Sequence, residues 1–212
     1  YMYVESSSAN LQAADEASQR ALKLDPSLAE VHASRGVALA LSDRFEASEA
    51  AFERAVELDP KLFEAHYFYA RACFVQGKLE KAIKHFEAAR RARPEDYQAP
   101  LLAGQIYDTL RQPENAAAVR RAGVAVAERH LKLHPHDTRA LYMAANGLVV
   151  LGENEKGLEW LECALSLDPD DAMLLYNAGC IYALLRRPEE AMICLERTVA
   201  AGLKQRAWYE HD

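Results

Sequence analysis

The chain has 212 residues, half of them hydrophobic, with 32 acidic and 25 basic side chains and a net charge of −7. That is long enough to bury a core, and too acidic for a protein that holds nucleic acid over its whole surface. No apolar run approaches the roughly 20 residues that cross a bilayer, and no signal peptide opens the chain. It begins with Tyr1 inside an expected helix, which reads as an excised domain.

Pro26, Pro60 and Pro94 are spaced by 34 residues, as are Pro135 and Pro169, and the interval from Pro94 to Pro135 is 41. Such a recurrence marks stacked helix-turn-helix units. In chain order, residues 1–28 are the tail of a truncated unit. Complete units follow at 29–62, 63–96, 97–137, 138–171 and 172–205, and residues 206–212 begin a segment that is cut off. Each unit is two helices of about a dozen residues. The second ends in a turn such as Ala55-Val56-Glu57-Leu58-Asp59-Pro60, where proline stops it. The breaks between the two helices fall at Ser42-Asp43, Gln76-Gly77, Arg111-Gln112-Pro113, Leu151-Gly152 and Arg186-Arg187-Pro188. Glycine there suits a helix C-terminus and proline a helix start.

Small residues recur where paired helices must touch: Gly36, Ala70, Gly104, Ala145 and Gly179 in the first helices, and Ser48, Ala82, Gly157 and Ala191 in the second. Phe52, Phe86, Leu161 and Leu195 follow four residues later. These residues resemble the tetratricopeptide repeat family. Gly77, Ala82, Phe86, Ala89 and Pro94 carry its pattern in full. The large aromatic early in its first helix is replaced by His32, His66, Pro100, Leu141 and Leu175. The resemblance covers nearly the whole chain. It implies an all-α, right-handed solenoid of antiparallel helix pairs, with first helices lining a concave groove.

In that groove, helical spacing selects Tyr67, Phe68 and Arg71; Leu101, Leu102 and Gln105; Tyr142, Met143 and Asn146; and Tyr176, Asn177 and Cys180. Apolar rings with amides suit an extended peptide or a partner helix. Relatives that clamp a chaperone's C-terminal carboxylate use lysines beside two asparagines. Asn146 and Asn177 match the asparagines, but Tyr142 replaces a lysine. No chaperone-tail clamp is expected, while an asparagine pair binding a backbone is. The function implied is a non-enzymatic interaction scaffold in a cytoplasmic setting. A second reading comes from Tyr176–Leu185 with Ala201–Trp208, which resemble the ends of repeat arrays on bacterial kinases and nucleotide cyclases. That would make the chain a regulatory segment of a larger signalling enzyme.

No phosphate loop, dinucleotide fingerprint, zinc-protease motif or nucleophile elbow is present, and nothing calls for a catalytic residue, cofactor or metal. His130 and His134 share a helix face near His136, but Pro135 turns the chain between them; a helix end that favours histidine explains them. Asp168, Asp170 and Asp171 lack an EF-hand's glycine and distal glutamate, so capping of the next helix is expected. Cys73, Cys163, Cys180 and Cys194 lie at helical positions without Cys-x-x-Cys spacing, which predicts buried free thiols in a reducing compartment.

Net charge is −6 over residues 1–70, +5 over 71–139 and −6 over 140–212. Interleaved acids make nucleic acid the remoter partner for the basic middle, and a solvated face the simpler reading. The seven extra residues of unit 97–137 amount to two helical turns. They predict a second helix about 10 Å longer, projecting Ala117, Val119, Arg120 and Arg121 or kinking at Gly123. The last helix stops at Ala200-Ala201-Gly202, and either Trp208 folds back over the exposed end or the open ends invite self-association through exposed apolar surface.

Overall fold

The residue before a proline is pushed out of the α region, and this sets the joints of the molecule. The computed structural model describes residues 8–201. Over these it is helical without a strand: α1 (Ser8–Leu24), α2 (Ala29–Ala40), α3 (Phe45–Leu58), α4 (Phe63–Val75), α5 (Leu79–Ala92), α6 (Gln98–Thr109), α7 (Pro113–Leu133), α8 (Thr138–Val150), α9 (Asn154–Leu167), α10 (Ala172–Leu184) and α11 (Pro188–Ala200). The last N–H before Pro26, Pro60, Pro94, Pro135 and Pro169 closes its helix, as in Asp59 to the Ala55 carbonyl at 2.9 Å and Asp168 to Ala164 at 3.1 Å. Asp59 itself is extended, with φ −135° and ψ 98°. The segment after Ala201, with Trp208, lies outside the described residues.

Within a pair, α2/α3, α4/α5, α6/α7, α8/α9 and α10/α11 meet at one repeated turn. Asp43, Gly77, Arg111, Gly152 and Arg186 all take positive φ, from 55° to 87°. The N–H of the next residue returns to the first helix, as in Lys78 to the Cys73 carbonyl at 2.9 Å and Arg187 to Tyr182 at 2.9 Å. This closure satisfies carbonyls that a helix end would leave orphaned.

Two compact units divide between Val119 and Arg120. In the first, Phe52, Tyr69, Phe86 and Ile106 are almost wholly buried, and the Phe52 and Tyr69 rings stack 5.2 Å apart. A Cβ on Gly36 would lie 2.7 Å from the Phe52 ring, so α2 and α3 approach at glycine contact. Ser48 completes the joint by donating its hydroxyl to the Gly36 carbonyl at 2.7 Å. In the second unit, Leu161, Leu174, Ala178 and Ile181 form the core. A Cβ on Gly157 would meet Val149 at 2.6 Å.

Two expectations need correction. α7 is unbroken at Gly123 and runs 21 residues against the 14 of α3, α5 and α9. Yet Ala117, Val119, Arg120 and Arg121 do not all project: Arg120 is 3% exposed, Ala117 and Val119 are half-buried, and only Arg121 faces solvent. Two added turns keep the apolar phase, so Ala116, Arg120, Val124 and Ala127 share one buried face. The thiols also differ among themselves. Cys73 and Cys194 are buried and Cys180 is half-buried, but Cys163 is exposed.

Candidate functional site

First helices present three positions per unit at one-turn spacing, and the structure sorts the expected groove residues by depth. Tyr67, Leu101, Tyr142 and Tyr176, all at one repeat position, are only 4–7% exposed. They support the surface more than they form it. Tyr67 stacks on Phe63 at 5.4 Å, meets Phe86 edge-on at 6.0 Å and donates its hydroxyl to Gln98 Oε1 at 3.1 Å. The next position carries Phe68, Leu102, Met143 and Asn177, all half-buried. Three residues on stand Arg71, Gln105, Asn146 and Cys180, half-buried except for exposed Gln105.

One turn further along the same face come Val75, Thr109, Val150 and Leu184, which sequence reasoning missed. Val75 is 70% exposed and Leu184 53%. Their signal was available, since they sit seven residues after Phe68, Leu102, Met143 and Asn177 and so on the same stripe. The first unit therefore offers Phe68, Arg71, Val75, Leu102, Gln105 and Thr109 on α4 and α6. The second offers Met143, Asn146, Val150, Asn177, Cys180 and Leu184 on α8 and α10. Arg71 lies 5.8 Å from the Tyr67 ring centroid. Asn177 donates its amide to the Met173 carbonyl at 2.7 Å, within its own helix.

The histidines that replace the expected aromatics have a structural task. His32 Nε2 donates to the Pro26 carbonyl at 2.8 Å, and His66 Nε2 to the Pro60 carbonyl at 3.0 Å. A neutral imidazole that donates from Nε2, as His66 does, has a bare Nδ1 to accept with. His85 Nδ1–H fills it at 3.0 Å. Burial lowers the His85 pKa to about 4, helped by the nearby His66, Lys84 and Lys81. His85 and Tyr69 line an open cleft of 310 Å³ with Glu53, Val56, Glu57, Lys81 and Lys84. Lys81 bonds Glu49 at 2.7 Å and Glu53 at 3.3 Å, and Tyr69 donates to Glu53 at 2.9 Å. Burial raises the Tyr69 hydroxyl well above the usual phenol range.

His130 is also engaged, its Nε2 donating to Asp137 Oδ2 at 2.7 Å, while Asp137 Oδ1 caps α8 by accepting from Ala140 N–H at 3.0 Å. Asp171 caps α10 through Leu174 N–H at 2.6 Å, whereas Asp168 does not. Among the described residues no three His, Cys, Asp or Glu side chains are placed to hold a metal ion, and no helix is long and apolar enough to cross a membrane.

A family profile for the tetratricopeptide repeat matches residues 7–63, 42–97 and 76–129, and a second profile for the same repeat matches 174–199. No curated protein matches the chain. Among solved structures, the thermophilic TPR protein TTC0263 of Thermus thermophilus is 21% identical over 84% of this chain and 93% of its own, with a TM-score of 0.64. PilF of Pseudomonas aeruginosa is 16% identical over 95% and 89%, TM-score 0.62. YrrB, described as a TPR protein with an unusual peptide-binding site, is 22% identical over 92% and 96%, TM-score 0.54. At these identities the likeness is one of fold, and it agrees with the helix pairs and turns above. The chain belongs to the tetratricopeptide repeat family.

Proposed function

We propose that the chain is a non-enzymatic protein-binding module that takes an extended peptide or a partner helix on its first-helix stripes. The observation that carries this is the accessibility of three residues per first helix at one-turn spacing, mixing apolar side chains with Arg71, Gln105, Asn146 and Asn177. Val75 and Leu184 remain mostly in solvent, which gives a guest apolar area to cover. The amides offer bonds to an extended backbone. The described peptide-binding site of the similarly folded YrrB supports the same class of ligand.

Peptides selected from a random library against the wild type provide the test. Phe68→Ser with Val75→Ser in the first unit, and Met143→Ser with Leu184→Ser in the second, are compared with the second-helix control Lys84→Ala with Glu196→Ala. Loss of at least about tenfold in affinity for one stripe pair, with helicity unchanged and the control silent, is the expected result. Peptides that bind all three variants like the wild type would remove the reading. Apolar binding of this kind is only weakly salt-dependent, unlike nucleic-acid binding.

A further inference from the structure

Charges on the second helices of the first unit are largely paired inside it. Glu49 holds both Lys78 and Lys81, and Arg93 holds Glu64 at 2.6 Å, while Arg54 and Glu57, and Arg90 and Glu87, pair along their own helices. The second unit is different. Among the described residues, Arg121, Arg129 and Lys132 on α7 are exposed without an ion pair, and on α9 the same holds of Glu155, Glu159 and Glu162. Lys156, the one cation of α9, is committed to Glu128 of α7, and Arg187, whose charge also reaches Glu162, is paired with Glu190.

Each trio lies on one helical face. The glutamates are spaced by four and three residues, and the cations by eight and three, within about 80° of one another at 100° per residue. Between the cations, exposed Ala122 and half-buried Ala125 add no bulk, so another helix can approach to about 8–10 Å. The two helices are neighbours, joined by the Lys156–Glu128 pair and by Leu131 and Leu158 on a common core. A basic face beside an acidic face is complementary to itself after a two-fold rotation.

We propose that a second copy of this chain docks here, α7 of each protomer on α9 of its partner. Arg121, Arg129 and Lys132 then meet Glu155, Glu159 and Glu162 twice. The interface is electrostatic at its rim and close-packed only at the alanines, so it is reversible and salt-sensitive.

Sedimentation of the 212-residue chain over a concentration series at low and high salt reads this directly. The wild type should dimerise, with a Kd that rises about tenfold between roughly 50 and 500 mM salt. Arg121→Glu/Arg129→Glu/Lys132→Glu and Glu155→Lys/Glu159→Lys/Glu162→Lys should each raise the Kd by at least about tenfold. An equal mixture of the two should recover a heterodimer, because each reversed face then meets its complement. Neutral glutamine versions of both trios should weaken the dimer without repulsion, which keeps the test informative if a reversal disturbs folding. A wild type that stays monomeric at all concentrations, a dimer indifferent to these changes, or mixed reversals that do not associate would overturn the proposal.

Discussion

The Phe52 ring fills the space that a Cβ on Gly36 would need, 2.7 Å away. Phe52 is wholly buried and stacked on Tyr69, so it cannot swing aside. Gly36→Ala gains about 1 kcal/mol of helix propensity but forces an overpacking cost of about 1–3 kcal/mol. A net loss of about 1 kcal/mol is expected in urea unfolding. Phe52→Leu in the same chain should make the added methyl less costly than in the wild type. Gly179→Ala, whose Cβ would sit 3.2 Å from the half-buried Leu195, should be close to neutral.

The repeated turn predicts opposite effects at equivalent positions. Arg111 and Arg186 hold φ of 55° and 57° without glycine, a conformation costing an L-residue about 1–2 kcal/mol. Arg111→Gly and Arg186→Gly should each stabilise by about 0.5 kcal/mol after the added freedom of the unfolded chain is subtracted. Gly77→Ala and Gly152→Ala, at φ 71° and 87°, should each destabilise by about 1 kcal/mol. Thermal melts of the four variants check the signs.

His85 makes stability depend on pH. Its folded pKa, about 4, lies below its usual 6.5 because burial disfavours the cation, with His66, Lys84 and Lys81 adding to the effect and Glu53 opposing it. Between pH 6.5 and 4 the unfolded chain therefore binds a proton that the folded chain does not, and stability falls as pH drops through that window. The loss is on the order of 3 kcal/mol when complete. His85→Leu should be less stable near neutral pH, since it leaves His66 Nδ1 unpartnered, and its urea midpoint should fall less between pH 6.5 and 4. A wild-type slope left unchanged by the substitution would assign the titration elsewhere.

Asp137 serves two groups at once, Ala140 N–H and His130 Nε2. Asp137→Ala should cost about 1–2 kcal/mol. Asp137→Asn keeps an oxygen for the cap and should cost less. The same pair of substitutions at Asp171, which caps Leu174 without a histidine, should show a similar gap between alanine and asparagine but a smaller cost for asparagine, because no histidine bond is lost there. Denaturation midpoints of the four variants measure both differences.

Repetition made most of the fold legible from residue order alone. Prolines stop helices by local sterics, the break residues close helix ends by local hydrogen bonds, and small residues at fixed offsets mark where backbones meet. All of these act within a few positions of the chain. Depth could not be read the same way. Tyr67 and Phe68, or Tyr142 and Met143, are neighbours on one helix, and helical period does not say which of two adjacent faces the next helix covers. The packing of α4, α8 and α10 decided that the tyrosines are supports and that Val75, Val150 and Leu184 carry accessible surface. Arg120 likewise reads as a surface cation, and only the packed helix turned it inward. The partner for His66 had to come from His85, 19 residues away, because a buried polar atom is satisfied by whatever the fold brings to it and not by its neighbours in sequence.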